Sequence, residues 1–409
     1  MNRKYYVLNA PSEITDELRL HLATGTLEGI EINYSLQIVS PGESVSDSPF
    51  CNLKTLRRIG FDVRLGENCR SAAGLFAGCE NLEELPLVNT EGAEDFSLMC
   101  FNCHRLRQVP AFSTGKARKM RGMFQNCFSL ASVPMMDTAG VTDFSYCFSY
   151  CSALRDVPLW DTSGAETLES MFDNCHSLEM APHLSTGKVR NMNCMFLCCT
   201  SLREVPRLNL QSAQTAVSMF DSCESLRDVP DLDYSVIRKA SMMFMGCLSL
   251  KSAGDLDFSS AADISFMFAH CSSLEKISRL ITPAAVLARN TFFGCGALRE
   301  MPQVDLSSAM DISEICCDCT ALTSVPRLQT ASVQNFNRSF AGCSSLEEFP
   351  EWDTDSALNL TGMFQDCTAL RKVPEFTVPQ AEIFKDMFRG CASLKEKPFF
   401  YTRGLFRPL

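Results

Sequence analysis

Residues 219–233 read MFDSCESLRDVPDLD, and this stretch decides the fold because its pattern recurs through most of the chain. From Cys79 to Cys391 the cysteine returns every 24 residues, which gives fourteen copies without an insertion. The leucine three residues after the cysteine is present in all fourteen, and a proline seven residues after it is present in twelve. A fixed period of this kind indicates a repeat array, in which stacking of consecutive copies supplies the core.

Within one copy, the apolar spacing predicts a short helix followed by an extended segment. Ala213, Ala216, Met219 and Phe220 are spaced for one face of a helix. The residue before the cysteine is usually Gly, Asn, Asp or Ser, and Gly and Asn tolerate the left-handed backbone that closes a helix. We therefore expect a helix of about ten residues that ends one residue before the cysteine. The proline beside Val229 cannot donate to a ladder, which favours short or irregular strands.

A recurring Asp or Asn follows the extended segment, as in Asp161-Thr162-Ser163. Small polar side chains of this kind accept backbone N–H groups in turns. A calcium-binding column is the alternative, but calcium takes about six to eight oxygen ligands. The acids are interrupted by Ser113, Ser185, Ile281 and Gln329. We predict a ladder of turns and no metal site.

The phrase Met-Phe-x-x-Cys-x-Ser-Leu-x-x-Val-Pro-x-Leu-Asp-Thr-Ser resembles the BspA-type leucine-rich repeats of bacterial surface proteins. The resemblance covers roughly residues 50–409. It implies an α/β solenoid, a right-handed array of leucine-rich-repeat-like coils with one short helix and one short extended segment or strand per coil. It also implies protein or surface binding, often in adhesion by gut or oral bacteria and some protists.

Three segments follow from this pattern. Residues 1–49 precede the array and form an N-terminal cap or a small docking module, with strands expected at Tyr5–Leu8 and Ile30–Ile38 and a helix capped by Ser12. Residues 50–398 form a solenoid of about fifteen coils. Residues 399–409 form a tail or cap. Its apolar side chains cover the last coil or pack against another subunit, namely Phe399, Phe400, Leu405 and Phe406.

Composition narrows the possible partners. The net charge of −11 and the pI near 5.1 disfavour nucleic acid and anionic membrane surfaces. Neither an apolar stretch of membrane-spanning length nor the apolar core of a classical secretory signal is present. The repeat implies the cell surface or exterior, whereas the start of the chain and its thiols favour a reducing interior, so both locations stay open.

Fourteen of the 22 cysteines occupy the repeat position, where a buried, reduced thiol packed between coils is expected. A disulfide scaffold is the alternative. The CxxC pairs Cys100–Cys103 and Cys316–Cys319 suggest zinc or redox chemistry, but Cys100 and Cys316 replace the repeat phenylalanine, which favours a core position. The five histidines lie far apart, outside any recognisable nucleophile motif. We predict no enzyme activity and no cofactor.

The residue after the proline position changes from copy to copy, and we call this series the variable column. Its early members are apolar: Leu87, Ala111, Met135 and Leu159. Its later members, beginning with Arg207 and Asp231, are charged or polar: Asp255, Arg279, Gln303, Arg327, Glu351 and Glu375. If the column faces solvent, it is a candidate partner-binding surface. The alternative places it partly inside, beside Trp160 and Trp352.

The copies around Cys247, Cys271 and Cys295 deviate most from the repeat. Gly254 and Ser278 replace the proline, and Ile281 replaces the turn acid. A local change in curvature and a contact site are both compatible with this change.

The sequence thus predicts a non-enzymatic scaffold that recognises a protein or a cell-surface ligand. A structural component of a larger assembly, such as a phage particle, is the alternative, with self-association through the solenoid ends.

Overall fold

The computed structural model describes residues 4–40 and 45–398, which belong to two compact units, Met1–Ser212 and Ala213–Leu409. Among its described residues the first unit contains the α-helix α1 (Asp16–Thr24) and a 3₁₀ turn (Pro11–Glu13). Its strands are β1 (Lys4–Leu8), β2 (Leu27–Ile32), β3 (Ile38–Ser40), β4 (Val45–Ser46), β5 (Asp62–Leu65) and β6 (Val88–Asn89). The second unit contains β7 (Ser252–Asp257), β8 (Lys276–Ile281) and β9 (Gln303–Val304). The predicted C-terminal cap of Phe399, Phe400, Leu405 and Phe406 lies outside the described residues.

Helix α1 begins at Asp16 because Thr15 caps it. The Thr15 hydroxyl accepts the N–H of Leu18 at 3.1 Å, and Gly25 ends the helix in the left-handed conformation. Ser12, the predicted cap, lies instead in the preceding 3₁₀ turn. That prediction was wrong because Thr15 offers a hydroxyl directly ahead of two acidic residues, which favour a helix N-terminus.

The N-terminal strands belong to the same sheet as the first coils. The order is β1-β2-β5-β6, and all three pairs are parallel. The strand predicted over Ile30–Ile38 is interrupted, since β2 ends at Ile32 and β3 begins at Ile38 to pair antiparallel with β4. The segment predicted as a cap or docking module therefore contributes backbone hydrogen bonds to the array.

The solenoid is confirmed within each unit, because parallel bridges join residues 24 apart. In the first unit Asp95 pairs with Lys119 and Lys119 with Asp143, and in the second unit Lys239 pairs with Asp263. Consecutive copies therefore stack in register as consecutive coils, at the usual inter-strand spacing of about 4.8 Å.

The helix predicted in each coil is wrong. Throughout the described array, the segment before the repeat cysteine is a run of turns with two left-handed residues four positions apart. In the coil of Cys103 these are Leu98 at φ 55° and Asn102 at φ 59°. An α-helix cannot continue through a left-handed residue, so the segment folds as consecutive turns. The left-handed residue before the cysteine was predicted, but it closes a turn.

The turns bury the same positions that a helix would bury, which explains the error. Phe96, Met99, Cys100 and Cys103 are all fully buried. Their spacing is that of a helix face, because a turn period of four residues and a helix period of 3.6 residues coincide over so short a stretch.

Alternate N–H groups of the turns bond to the next coil. Leu98 and Cys100 donate to the carbonyls of Arg121 and Met123, each at 2.8 Å. The intervening residue Met99 donates three residues back, to Phe96, at 3.2 Å. Backbone groups are thus satisfied without a helix, and the bonds between coils hold the stack together.

Phenylalanines from successive coils form the centre of the core. In the first unit the rings of Phe148, Phe172 and Phe196 stack in order, with centroids 5.6 Å and 5.5 Å apart. In the second unit Phe244 and Phe268 stack at 5.4 Å. Offset stacking of buried rings adds to the free energy of burying their area.

Regular strands form in the array where the repeat proline is absent. Strands β7 and β8 contain Gly254 and Ser278 at the proline position and pair in parallel over six residues each. Strand β9 begins only at Gln303, directly after Pro302. Most other coils have a single bridge at this level. Proline removes a ladder donor, so its loss permits the longer strands.

Candidate partner-binding surface

The variable column faces solvent. Every member is exposed from Leu87 to Arg207 in the first unit and from Asp231 to Glu375 in the second. The next residue along the chain points inward, as shown by Trp160 and Trp352, which are 2% and 3% exposed. Each indole N–H donates to the carbonyl of a proline in the preceding coil, at 3.1 Å and 2.9 Å. The partly buried alternative therefore does not hold.

The first unit presents an apolar part of this column. Leu87 is 78% exposed, Met135 is 55% exposed and Leu159 is 68% exposed, while Ala111 is also exposed. Because the coils stack in register, these side chains follow one another along one surface. Large apolar side chains exposed to this degree lose unfavourable contact with water when a partner covers them.

Met180 adds to this surface and was missed in the sequence. It is 57% exposed and lies three positions before the variable column, where other coils carry mostly charged or polar residues such as Asp156 and Glu204. Its apolar character in a polar position was the available signal. With Leu159 and His183 it lines a groove of about 910 Å³, which also includes Pro158 and Pro182.

Arg207 and Asp231 are exposed but belong to different units. Asp231 lines a groove of about 410 Å³ with Gly254 and Asp255. The buried Tyr234 donates its hydroxyl to the carbonyl of Pro230 at 2.8 Å. Burial raises the pKa of Tyr234 well above its usual value, and the nearby Asp231 adds to this shift.

The second unit carries a charged groove on the strands β7–β9. It has a volume of about 600 Å³, and its polar lining includes Asp255, Arg279, Gln303 and Arg327. Arg327 forms an ion pair with Glu351 at 3.1 Å, in which both side chains are largely exposed. Such exposed pairs contribute little to stability, so Arg327 can exchange this partner for another carboxylate.

The recurring turn acids hold the backbone. Asp161 accepts the N–H of Ser163 at 2.8 Å, and Asp305 accepts the N–H and the hydroxyl of Ser307 at 3.1 Å and 2.6 Å. Hydrogen bonds from Ser163 hold the pKa of Asp161 below its usual value. Over residues 4–40 and 45–398, no group of three or more His, Cys, Asp or Glu side chains is arranged to hold a metal ion.

A second ladder of turn acids, missed in the sequence, lies ahead of the left-handed turns. Asp143 accepts the N–H of Ser145 at 2.8 Å, and Asp263 accepts that of Ser265 at 2.9 Å. These residues also carry the bridges between coils. Their role is structural, since each carboxylate fixes a turn where the strand-like backbone ends.

None of the cysteines forms a disulfide, and most of the thiols are buried. The thiol at the repeat position donates to the carbonyl of the residue three before the cysteine of the preceding coil, as Cys151 does to Phe124 at 3.1 Å. Burial raises the pKa of Cys127 and Cys247 well above its usual value and that of Cys271 to about 12. Cys100 and Cys316 are fully buried at the phenylalanine position, in agreement with the core interpretation. Cys194 and Cys198 are partly exposed.

Histidine side chains engage in local contacts. His21 shares a hydrogen bond of 2.6 Å with Thr26, and His104 stacks on Phe128 with ring centroids 4.8 Å apart. His270 meets Phe293 edge to face at 5.1 Å. These contacts are explained by packing and turn formation. Within the described part of the chain, no helix has the length and apolar character needed to cross a membrane.

A family model described as "Mycoplasma protein of unknown function, DUF285" matches residues 70–183, 180–280 and 287–399. Among solved structures, a leucine-rich cell surface protein from Faecalibacterium prausnitzii is 16% identical, with 76% of this chain and 82% of that chain covered and a TM-score of 0.41. A leucine-rich-repeat protein from Eubacterium ventriosum is 12% identical, with 98% and 91% covered and a TM-score of 0.38. An internalin from Listeria monocytogenes is 12% identical, with 73% and 82% covered and a TM-score of 0.25. The sequence matches no curated protein.

Proposed function

Because this chain belongs to the DUF285 family, a BspA-like repeat family, we propose that it is a non-enzymatic scaffold that binds a protein partner. The observation that carries the proposal is the exposed apolar part of the variable column, formed by Leu87, Met135 and Leu159. The repeat residues are used for stacking, whereas these side chains make no contribution to the core. A surface that differs from coil to coil on a constant scaffold provides side chains for recognition.

The finer proposal is that the partner is a cell-surface or extracellular protein and that binding serves adhesion. Its physical basis is the chemistry of the surface. The apolar side chains supply the desolvated centre of an interface, and the exposed polar residues of neighbouring columns, such as Asp156 and Glu179, supply a rim.

The test measures binding of the full chain to an immobilised panel of purified extracellular-matrix and cell-surface proteins. The variant Leu87→Ser/Met135→Ser/Leu159→Ser removes the apolar surface, and Glu375→Ser, at an exposed position of the same column, is the control. We expect a partner whose affinity falls at least about tenfold in the first variant and changes little in the control. Equal affinities, or binding to no protein of the panel, would refute the proposal.

A second candidate function is self-assembly through a solenoid end. Strand β1 is the terminal strand in the order β1-β2-β5-β6, and its outer side pairs with no strand in the described residues. An open edge of this kind can pair with another chain. Light scattering at several concentrations tests this candidate, since a monomer at all concentrations rules it out.

A further inference from the structure

Two arginines line the groove on β7–β9, and the coils that carry them lack the recurring turn acid. Arg279 lies opposite Asp255 on β7 and opposite Gln303 on β9, and Arg327 lies in the same column one coil beyond Gln303. Arg279 forms no ion pair with any described residue, although Asp255 is its neighbour in register.

The coils that carry these arginines lack the turn acid that neighbouring coils have. Ile281 and Gln329 stand two residues after Arg279 and Arg327, at the position that Asp257, Asp305 and Asp353 occupy in the coils around them. Both replacements line the groove. Asp305, the acid that lines the groove between them, is engaged by the N–H and hydroxyl of Ser307. Neither arginine therefore has a turn acid in its own coil, and the ion pair between Arg327 and Glu351 of the next coil is largely exposed.

The backbone beneath Arg279 is also more regular than in most of the array. Strands β7 and β8 pair over six residues each because Gly254 and Ser278 replace the repeat proline. A hydrogen-bonded strand fixes the position of Arg279 better than the single bridge of other coils does, so less conformational entropy is lost when a ligand binds.

We propose that this groove binds an extended acidic segment of a protein partner, with carboxylates three residues apart facing Arg279 and Arg327. The inference rests on the proposed function and names the chemistry of one contact. Arg279 and Arg327 stand two coils apart, which is about 10 Å at the usual strand spacing. In a polyproline II segment, side chains three residues apart share a face and are separated by about 9 Å, so two carboxylates meet both guanidinium groups.

The remaining lining favours a peptide over a polyanion. Asp255 stands beside Arg279, and Glu351 is paired with Arg327 at 3.1 Å. A phosphate-rich or sulfated polymer, which is charged along its whole length, meets repulsion from these acids, whereas a segment with only two spaced carboxylates places its charges on the arginines. Gln303 and Gln329 offer amides to the backbone of a peptide.

The test uses the full chain and a fluorescein-labelled peptide that contains Glu-Pro-Pro-Glu, with Gln-Pro-Pro-Gln as the neutral comparison. Fluorescence anisotropy gives the affinity. We expect the acidic peptide to bind more tightly than the neutral one, and Arg279→Gln and Arg327→Gln each to weaken it about twofold to fivefold. Glu351→Gln removes the competing carboxylate and is expected to tighten binding.

Arg203→Gln is the control, because Arg203 is an exposed arginine outside the variable column, in the other unit. Equal affinities for the two peptides, or equal weakening by Arg203→Gln, would overturn the inference. So would preferential binding of a sulfated oligosaccharide or displacement of the peptide by millimolar inorganic phosphate. The acidic peptide could fail to bind while Leu87→Ser/Met135→Ser/Leu159→Ser still weakens binding of the protein partner. That result would overturn this inference alone and leave the proposed function intact.

Discussion

The Sγ atom of Cys103 lies 3.2 Å from the carbonyl oxygen of Phe76 in the preceding coil and donates a hydrogen bond to it. The same oxygen accepts the N–H of Cys79 at 3.1 Å, so both of its lone pairs are used inside the core. Cysteine suits this position because it is small, largely apolar and able to donate weakly. The repeat cysteine thus donates a hydrogen bond to a backbone carbonyl and also fills space in the core.

Replacing one of these thiols is expected to destabilise the fold. Cys151→Ala removes the donor to Phe124 and leaves a small void, so the free energy of unfolding is expected to fall by about 1–3 kcal/mol. Urea denaturation measures the change. Cys198→Ala, at a partly exposed position, is the control and is expected to change stability by less than about 0.5 kcal/mol. Equal effects would show that the buried thiol is dispensable.

Thiol reactivity should separate the cysteines by burial. Burial raises the pKa of Cys271 to about 12 and that of Cys391 to about 11, so these groups carry almost no thiolate at pH 8. We expect iodoacetamide at pH 8 to label Cys194 and Cys198 first in the folded chain. All 22 cysteines should react after denaturation. Rapid labelling of the repeat cysteines in the native chain, read by peptide mass spectrometry, would contradict the buried core.

The left-handed turns predict opposite effects of two substitutions at one site. Tyr150 has φ 60° and is 43% exposed, and its N–H bonds to the carbonyl of Asp173 at 2.7 Å. Tyr150→Gly removes the steric penalty of this conformation, whereas Tyr150→Val increases it. We expect the glycine variant to be more stable than the valine variant by at least about 1 kcal/mol, measured by thermal unfolding. The reverse order would be inconsistent with the turn.

Restoring the repeat proline should shorten strand β8. Ser278→Pro removes a backbone donor within β8, at an expected cost of about 1 kcal/mol. Hydrogen exchange should then accelerate in β7 and β8 but not around Cys343, which lies in another part of the unit. Ser278→Ala retains the N–H and serves as the control. Unchanged exchange in the proline variant would show that proline does not limit the strands.

Titration of a buried carboxyl should make the stability of the fold depend on pH. Burial raises the pKa of Asp173, which is 8% exposed and accepts hydrogen bonds from Asn174 and Ser149. The folded state therefore holds this proton more tightly than the unfolded state, and the associated stability is lost as pH rises from about 4 through the folded pKa. Asp173→Asn is expected to be more stable than the parent at neutral pH, with a smaller difference in acid. A constant difference across this range would exclude titration of Asp173 as the cause.

The stacked architecture was predictable because the period of 24 residues and the constant leucine require it. The family match confirms the BspA-like resemblance from which the same architecture was expected. The run of turns could not be predicted in place of a helix, because the burial of Phe96, Met99, Cys100 and Cys103 has the same spacing in both. The two left-handed residues of each coil exclude a helix, but the sequence does not reveal the first of them, since that position holds residues as different as Leu98 and Arg338.

Sequence variation identified the variable column as a candidate surface, but only the structure shows that its side chains are exposed. Because Trp160 follows Leu159, the sequence did not show which of the two side chains points inward. In the structure the indole of Trp160 is buried and donates a hydrogen bond to the carbonyl of Pro134. Met180 lies three positions before the variable column, so the variation within that column did not point to it. The binding role of Leu87, Ala111, Met135, Leu159, Arg207 and Asp231 stays a prediction.

The bonds that the left-handed turns make between coils join each donor to a residue 23 positions further along, as Leu98 joins Arg121. Loss or gain of one whole repeat leaves every remaining donor opposite an acceptor of the same kind, whereas any other change in length breaks the register. A gene for such an array can therefore lengthen or shorten by unequal crossing-over without loss of the fold. Array length becomes a heritable trait, and each event adds or removes one position at which selection can alter recognition.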